Sequence, residues 1–188
     1  MAFFKNTLYT PLLLVFLVLF GCSPKVIHFV NSKSDFSNYS SFEVVNFKAS
    51  NTDISAEGAQ IFRNIERNIS EQLETRGYNN QQDNPDLAAR YELISNQITE
   101  VRRTTNPYYF PSYGNYYTTR TLLESALLVE IFDTKTKKLV WQASVDLKKY
   151  TKRNNKEEIL REAVTQLFNT YLYRANSNTP DESLGTEQ

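Results

Sequence analysis

A single cysteine, Cys22, is the feature that most constrains how this 188-residue chain can fold. One cysteine forms no disulfide within the chain and cannot build a cysteine-rich metal site, so the fold has to rest on an apolar core. Residues 22–188 are long enough to bury such a core within one ordinary domain.

The first residues have the pattern of a secretory signal. Lys5 provides a positive charge, and nine apolar residues follow from Leu12 to Phe20. Nine helical residues cover about 13 Å, which is less than half of a hydrocarbon core of ~30 Å. The segment is therefore too short to span a bilayer stably, and we predict that residues 1–21 are a cleaved signal peptide.

The sequence Leu19-Phe20-Gly21-Cys22 resembles the lipobox of bacterial lipoproteins. In that class the cysteine sulfur receives a diacylglyceryl group and a peptidase cuts before the cysteine. The resemblance implies lipidation at Cys22, with residues 22–25 as a lipidated N-terminus and short tether. Ser23, in place of an aspartate, implies the periplasmic side of the outer membrane. The alternative is a plain secretory signal in which Cys22 happens to lie near the cleavage site.

The charge balance argues against nucleic acid as a partner. The chain carries 21 basic and 21 acidic residues and has no net charge. A nucleic-acid-binding domain normally has an excess of basic residues, because phosphate contacts dominate its affinity.

Alternating apolar residues predict five strands. The first two are expected at 26–30 and 42–47, and a more polar third strand at about 88–102. A long hairpin is expected from strands at 122–132 and 139–147. The second arm of this hairpin alternates apolar and polar residues, which is typical of a strand with one buried face.

Two amphipathic helices are marked by their caps. Ser55 is a plausible N-cap for the first helix, and Gly77 has the position of a left-handed residue that ends it. The apolar stripe of this helix recurs every four residues at Ile61, Ile65, Ile69 and Leu73. Asn155 is expected to cap the second helix, with Glu158 at the third helical position.

The predicted order of elements is β-β-α-β-β-β-α. This order favours an α+β fold, a two-layer sandwich in which two helices cover one face of a mostly antiparallel sheet. We expect a single domain over residues 26–174. Residues 175–188 are polar, contain Pro180 and Gly185, and are predicted to be a disordered tail.

Four motifs together resemble the family of envelope lipoproteins catalogued as domain of unknown function 4136. The motifs lie at residues 35–42, residues 73–78, Pro85-Asp86-Leu87 and residues 129–141. The resemblance covers about residues 26–172. It implies the fold and the membrane anchor, but no known activity, no cofactor and no catalytic residues.

No set of side chains in the sequence indicates a catalytic or metal site. His28 is the only histidine and is expected to be an ordinary strand residue, because zinc needs three or four ligands. Asp86 follows a proline and is expected to fix a turn. Glu157 and Glu158 are adjacent in a helix N-terminus, where carboxylates are favourable in any case. Trp141 alternates with apolar neighbours and is expected in the core.

One segment, residues 104–119, is unusually rich in tyrosine. Tyrosine combines a wide apolar face with a polar tip, which suits wet interfaces and stacking on sugars or peptides. The alternative is a flexible low-complexity loop, or one folded back over the sheet. The candidate contact residues are the aromatic ones: Tyr108, Tyr109, Phe110, Tyr113, Tyr116 and Tyr117.

These features predict a non-enzymatic protein that is anchored to the outer membrane through Cys22 and binds another envelope component. The partner is expected to be an envelope protein or a glycan. The alternative function is a binder of small amphipathic ligands, such as glycan or lipid fragments, in the periplasm.

Overall fold

The computed structural model of the protein describes residues 25–46, 55–104, 116–150 and 155–185. The strands in these residues are β1 (Val26–Val30), β2 (Ser41–Asn46), β3 (Asn79–Asn80), β4 (Leu87–Thr104), β5 (Tyr116–Asp133) and β6 (Leu139–Asp146). The α-helices are α1 (Ala56–Thr75) and α2 (Lys156–Phe168). The elements form an open sheet with helices, so the predicted α+β class is confirmed.

The sheet has the strand order β1-β6-β5-β4-β2-β3. The pairs from β1 to β4 are antiparallel, whereas β2 is parallel to both β4 and β3. The sheet is therefore mixed. The parallel pairing arises because α1 follows β2 and carries the chain across one face, so that β4 enters the sheet in the same direction as β2. The two-residue strand β3 was not predicted.

One face of the sheet is buried under the two helices. The strand residues on this face alternate along each strand and are almost fully inaccessible to solvent. They include Phe42, Leu87, Ala89, Leu127, Val129, Ile131, Trp141, Ala143 and Val145. The predicted helix stripe meets them, and Ile65, Ile69 and Leu73 of α1 are 0% exposed. The predicted two-layer arrangement is therefore present.

The predicted caps are confirmed. The Ser55 hydroxyl oxygen accepts a hydrogen bond from the N–H of Gly58, and the Asn155 side chain accepts one from the N–H of Glu158. Gly77 has φ +88°, and the N–H of Tyr78 donates to the carbonyl oxygen of Leu73 at 3.1 Å. This pair of features is a Schellman motif, which ends α1 and turns the chain toward β3.

Arg76 joins the ends of the two helices. Its side chain is only 3% exposed, although it carries a positive charge. The guanidinium donates to the carbonyl oxygens of Phe168 and Tyr171 at 2.8 and 3.0 Å, just where α2 ends. The Phe168 carbonyl, which also accepts the N–H of Tyr171, and the Tyr171 carbonyl lie at the negative end of the helix dipole, so they stabilise the buried charge. The guanidinium also lies 5.4 Å from the centre of the Phe168 ring.

The C-terminal segment differs from the sequence prediction of a disordered tail at 175–188. The N–H groups of Ala175 and Asn176 donate to the carbonyl oxygens of Arg76 and Tyr39 at 3.0 and 2.9 Å. Tyr173 stacks on Phe36 with ring centres 3.5 Å apart. The prediction is wrong for residues 175–185, because composition could not show that distant carbonyls and an aromatic ring would hold a polar segment. Residues 186–188 lie outside the described residues.

Strands β4 and β5 are longer than predicted and extend beyond the other described strands of the sheet. Their backbones pair continuously from Leu87 with Asp133 to Thr104 with Tyr116. The pairing of β2 with β4 ends at Tyr91, and that of β6 with β5 ends at Ala126. Residues 95–104 and 116–125 thus form a two-stranded ribbon among the described strands, here called the arm, which covers about 33 Å along the strand.

We predict that Arg76→Met lowers the free energy of unfolding by about 3 kcal/mol, because it leaves two buried helix-end carbonyls without their charged donor. Urea unfolding followed by circular dichroism measures this loss. The matched control is Arg63→Met on the outer surface of α1, where the guanidinium bonds the exposed Gln60 side chain. The control should change stability by less than about 0.5 kcal/mol. Equal effects of the two substitutions would contradict the role assigned to Arg76.

Candidate functional site

Asp86 ties three parts of the chain together at one end of the sheet. Its Oδ2 accepts hydrogen bonds from the Ser40 N–H and the Ser40 hydroxyl, both at 3.0 Å, and from the Ser41 hydroxyl at 3.1 Å. The Lys135 ammonium lies 3.1 Å from the other oxygen. The backbone carbonyl of Asp86 accepts the N–H of Thr134. The residue therefore fixes the approach of β4 to the start of β2 and to the β5–β6 turn, as its predicted structural role requires.

The environment keeps Asp86 ionised. Burial by itself raises the pKa of this carboxyl, but the hydrogen bonds from the Ser40 backbone, Lys135 and the two serine hydroxyls outweigh it and lower the pKa to about 2. These donors stabilise the charged form far more than the neutral acid. Asp86 is thus a permanent acceptor at neutral pH.

Asp133 lies at the neighbouring corner and shapes the β5–β6 turn. Its Oδ1 accepts the backbone N–H groups of Lys135 and Thr136 at 2.8 and 3.0 Å, and Lys137 takes a left-handed φ of 59°. This turn contains no glycine, and it depends on the Asp133 side chain and on one lysine in the left-handed region. The other carboxylate oxygen accepts the Tyr39 hydroxyl at 3.2 Å. Burial, together with this carboxylate, raises the pKa of Tyr39 to about 12.

An open groove of about 870 Å³ lies beside these two carboxylates, on the sheet face that the described helices leave uncovered. Its apolar part consists of Val45, Pro85, Ala88 and Phe132. Its charged part consists of the cations Arg90, Lys135 and Lys137 and the carboxylates Glu43 and Asp133. The Arg90 guanidinium lies 5.2 Å from the centre of the Phe132 ring. Apolar side chains together with three cations and two carboxylates can accept an amphipathic molecule that carries a charged group.

The remaining residues weighed for chemistry from the sequence lie apart from this groove. His28 is exposed in β1, at the far edge of the sheet. Glu157 accepts the Arg67 guanidinium at 2.6 Å across the two helices. Trp141 is fully buried, and its ring N–H points to the Thr170 hydroxyl at 3.3 Å. Trp141 is therefore accounted for by packing and Glu157 by a surface ion pair, while His28 is an exposed strand residue.

Two predicted sites fall largely outside the described residues. Cys22 is one of them, and the loop segment 105–115 is the other, with Tyr108, Tyr109, Phe110 and Tyr113. Tyr116 and Tyr117 are described as backbone only, and they pair with Thr104 and Arg103 as the first residues of β5. The ends of the predicted loop 104–119 are therefore strand, and residues 105–115 connect β4 to β5 outside the described residues.

Metal and membrane-spanning features were also sought in the described part of the chain. There, no group of three or more His, Cys, Asp or Glu side chains is placed to hold a metal ion. Nor does any helix described there combine the length and apolar character that crossing a bilayer requires.

Sequence reasoning missed the groove and the bond between Tyr39 and Asp133. The signal that could have indicated the groove is weak: Val45, Ala88, Arg90 and Phe132 occupy positions that alternate with the core residues of β2, β4 and β5. Such positions line the second face of a sheet, but they form one groove only because β2 and β4 are neighbours. That pairing could not be derived from the sequence.

Comparison with protein families identifies one match. The sequence matches the family model described as domain of unknown function (DUF4136) over residues 27–171. The motifs that suggested this family, at Tyr39, Asp86 and Asp133, meet in the structure around one end of the sheet. A search of curated proteins finds no significant match to the sequence.

Two solved structures have a similar fold. A DUF4136 family protein from Bacteroides thetaiotaomicron is 18% identical with a TM-score of 0.53, and the match covers 84% of this chain and all of that one. A PDZ domain protein from Parabacteroides distasonis is 14% identical with a TM-score of 0.51. That match covers 84% of this chain but only 37% of the longer protein. At these identities the likeness concerns the fold.

We predict that Asp86→Asn lowers the free energy of unfolding at pH 7 by about 2 kcal/mol, since the native pKa is about 2 against an ordinary value of 3.8. A folded-state pKa below the unfolded one means that this stabilisation is complete above about pH 4 and is lost as the pH falls toward 2. The variant should therefore lose part of the acid dependence in that window. Urea unfolding at several pH values tests this.

The matched control for Asp86 is Asp83→Asn, which changes an exposed carboxylate of the same loop. It should leave both the stability at pH 7 and the acid dependence unchanged within about 0.5 kcal/mol. If the Asp86 variant were as stable as the control at pH 7, Asp86 would not fix the approach of β4 to β2 and to the β5–β6 turn.

Proposed function

The chain belongs to the DUF4136 family, and from this premise we propose that it is a lipoprotein of the outer membrane that binds another envelope component without catalysing a reaction. The anchor is Cys22, on the periplasmic side of the membrane. The partner is an envelope protein or a glycan.

The proposed anchor is supported by the sequence before the domain. Cys22 directly follows a short apolar run and Gly21, in the order of a lipobox. A single acyl chain binds membranes only marginally, whereas two or three chains hold a protein permanently. Lipidation of this cysteine also accounts for a lone thiol in a chain that enters an oxidising compartment.

The observation that carries the partner-binding role is the arm. Beyond Tyr91 and Ala126, β4 and β5 have only each other as backbone neighbours among the described strands. A two-stranded ribbon is marginally stable by itself in water, so contact with a partner would stabilise it. The arm ends in the tyrosine-rich segment, whose residues have the chemistry of wet protein interfaces and of stacking on sugars.

The state of the two carboxylates beside the groove supports a binding role over a catalytic one. A general base works best with a pKa near the operating pH. The pKa of Asp86 is lowered to about 2, and that of Asp133 is lowered as well: burial raises it, but hydrogen bonds from Thr136, Lys135 and Tyr39 outweigh the burial. Both groups serve as fixed acceptors for the backbone and hydroxyls around them.

A second candidate function is favoured by the groove. Its volume of about 870 Å³ is in the range of small-molecule sites, and Phe132 and Val45 lie close to the cations Arg90 and Lys135. This combination suits a small amphipathic ligand with a negatively charged group, such as a fragment of a lipid or an acidic glycan.

We predict that Cys22→Ser abolishes incorporation of labelled palmitate and releases the protein from the membrane fraction, because the hydroxyl cannot form the thioether. Radiolabelling and membrane fractionation of producing cells measure both effects. Ser23→Ala is the matched control, one residue away, and should keep the label and the membrane association. Retention of the Cys22→Ser variant in membranes would contradict the proposed anchor.

We predict that a photo-cross-linking amino acid in place of Tyr109 captures a discrete envelope partner in cells, because Tyr109 belongs to the tyrosine-rich segment that connects the two strands of the arm. The same amino acid in place of Glu74, an exposed residue of α1, is the control and should capture no such partner. Adducts are identified by mass spectrometry. Identical adducts from both positions would contradict the assignment, and a small amphipathic molecule released from purified protein without any adduct would favour the second function.

A further inference from the structure

The edge strand β1 exposes two large apolar side chains. Ile27 is 66% exposed and Phe29 is 50% exposed, and these are the exposed large hydrophobic residues of the described chain. They lie two residues apart, so both project from the same face of the sheet, the face that the described helices leave uncovered. Ser144 and Gln142 of β6 stand opposite them in register.

The position of this pair along the chain limits how far it can lie from the anchor. Three residues, Ser23 to Lys25, separate Cys22 from the first residue of β1. An extended chain spans at most ~3.6 Å per residue, so Ile27 lies within about 18 Å of Cys22. A lipid on Cys22 therefore keeps this strand at the bilayer surface.

The charges around β1 complement an anionic lipid surface. Residues 25–34 contain two lysines and no carboxylate, and Lys25 and Lys33 at the two ends of this stretch are both exposed. Basic residues near a membrane are attracted to anionic headgroups, while an isoleucine and a phenylalanine between them can enter the boundary between headgroups and acyl chains.

We propose that Ile27 and Phe29 dock on the lipid bilayer, so that the domain lies on the membrane with the β1 edge against the surface. This proposal rests on the lipid anchor of the proposed function. His28 provides an internal reference: it is exposed in the same strand, between the two apolar residues, but its side chain projects from the opposite face of the sheet. A tether alone would bring all three residues equally close to the membrane, whereas docking of one face distinguishes them.

The test uses three variants of the full lipidated protein, Ile27→Cys, His28→Cys and Phe29→Cys. The natural thiol of Cys22 is blocked by its lipid, so each variant has one free thiol for an environment-sensitive fluorophore. The labelled proteins are purified and reconstituted at low density in vesicles of phosphatidylethanolamine and phosphatidylglycerol. Quenching is measured with aqueous iodide and with a lipid that carries a nitroxide on its acyl chain.

The expected result is several-fold weaker iodide quenching at positions 27 and 29 than at position 28, together with quenching by the nitroxide lipid at 27 and 29 only. Equal iodide quenching at the three positions, in protein that floats with the vesicles, would overturn the docking while leaving the anchor intact. Protection from iodide without nitroxide quenching would mean that a second copy or another segment of the chain covers the face, which also overturns it. If the protein does not float with the vesicles, the proposed lipid anchor is wrong, and the proposed docking is wrong with it.

Discussion

The buried guanidinium of Arg76 is the interaction on which the helical layer depends. Arg76 follows the end of α1, and its guanidinium donates to the carbonyls of Phe168, the last residue of α2, and of Tyr171 just beyond it. The backbone carbonyl of Arg76 accepts the N–H of Ala175. Carbonyl oxygens at the negative end of the α2 dipole stabilise this charge. The hydroxyls of Tyr78 and Tyr171 meet at 2.9 Å in the same region. Two helix ends and the C-terminal segment thus have one relative position, which holds both helices over the sheet.

On the opposite face of the sheet, the local structure depends on two carboxylates whose oxygens already accept hydrogen bonds from the protein. Asp86 and Asp133 hold the ends of β2, β4 and β5 by accepting backbone and hydroxyl groups, and the groove opens beside them. Strand ends that are fixed in this way beside a groove can position a ligand or partner, and the two carboxylates need not supply a proton. The proposed membrane contact at Ile27 lies at the other edge of the same sheet, so the strand order separates the lipid-facing edge from the groove.

The predictions that hold are those that depend on neighbouring residues. The caps at Ser55, Gly77 and Asn155 are local, because each side chain or positive φ acts on backbone groups within five residues. The predictions that fail depend on distant contacts. The C-terminal segment is ordered by carbonyls of Arg76 and Tyr39, about a hundred residues or more earlier, and its polar composition contains no sign of them. The groove likewise arises from the parallel pairing of β2 with β4.

The sequence by itself determined the α+β class, the starts of both helices, the end and buried stripe of α1, and the family, because periodicity and capping are properties of short segments. It also carries the prediction of the anchor at Cys22, which lies before the described domain. Only the tertiary structure decided that β4 runs parallel to β2, that Arg76 is buried, and that Ile27 and Phe29 share an uncovered face with a groove. These features depend on which segments meet in space, and chain connectivity leaves that choice to the packing of the whole core.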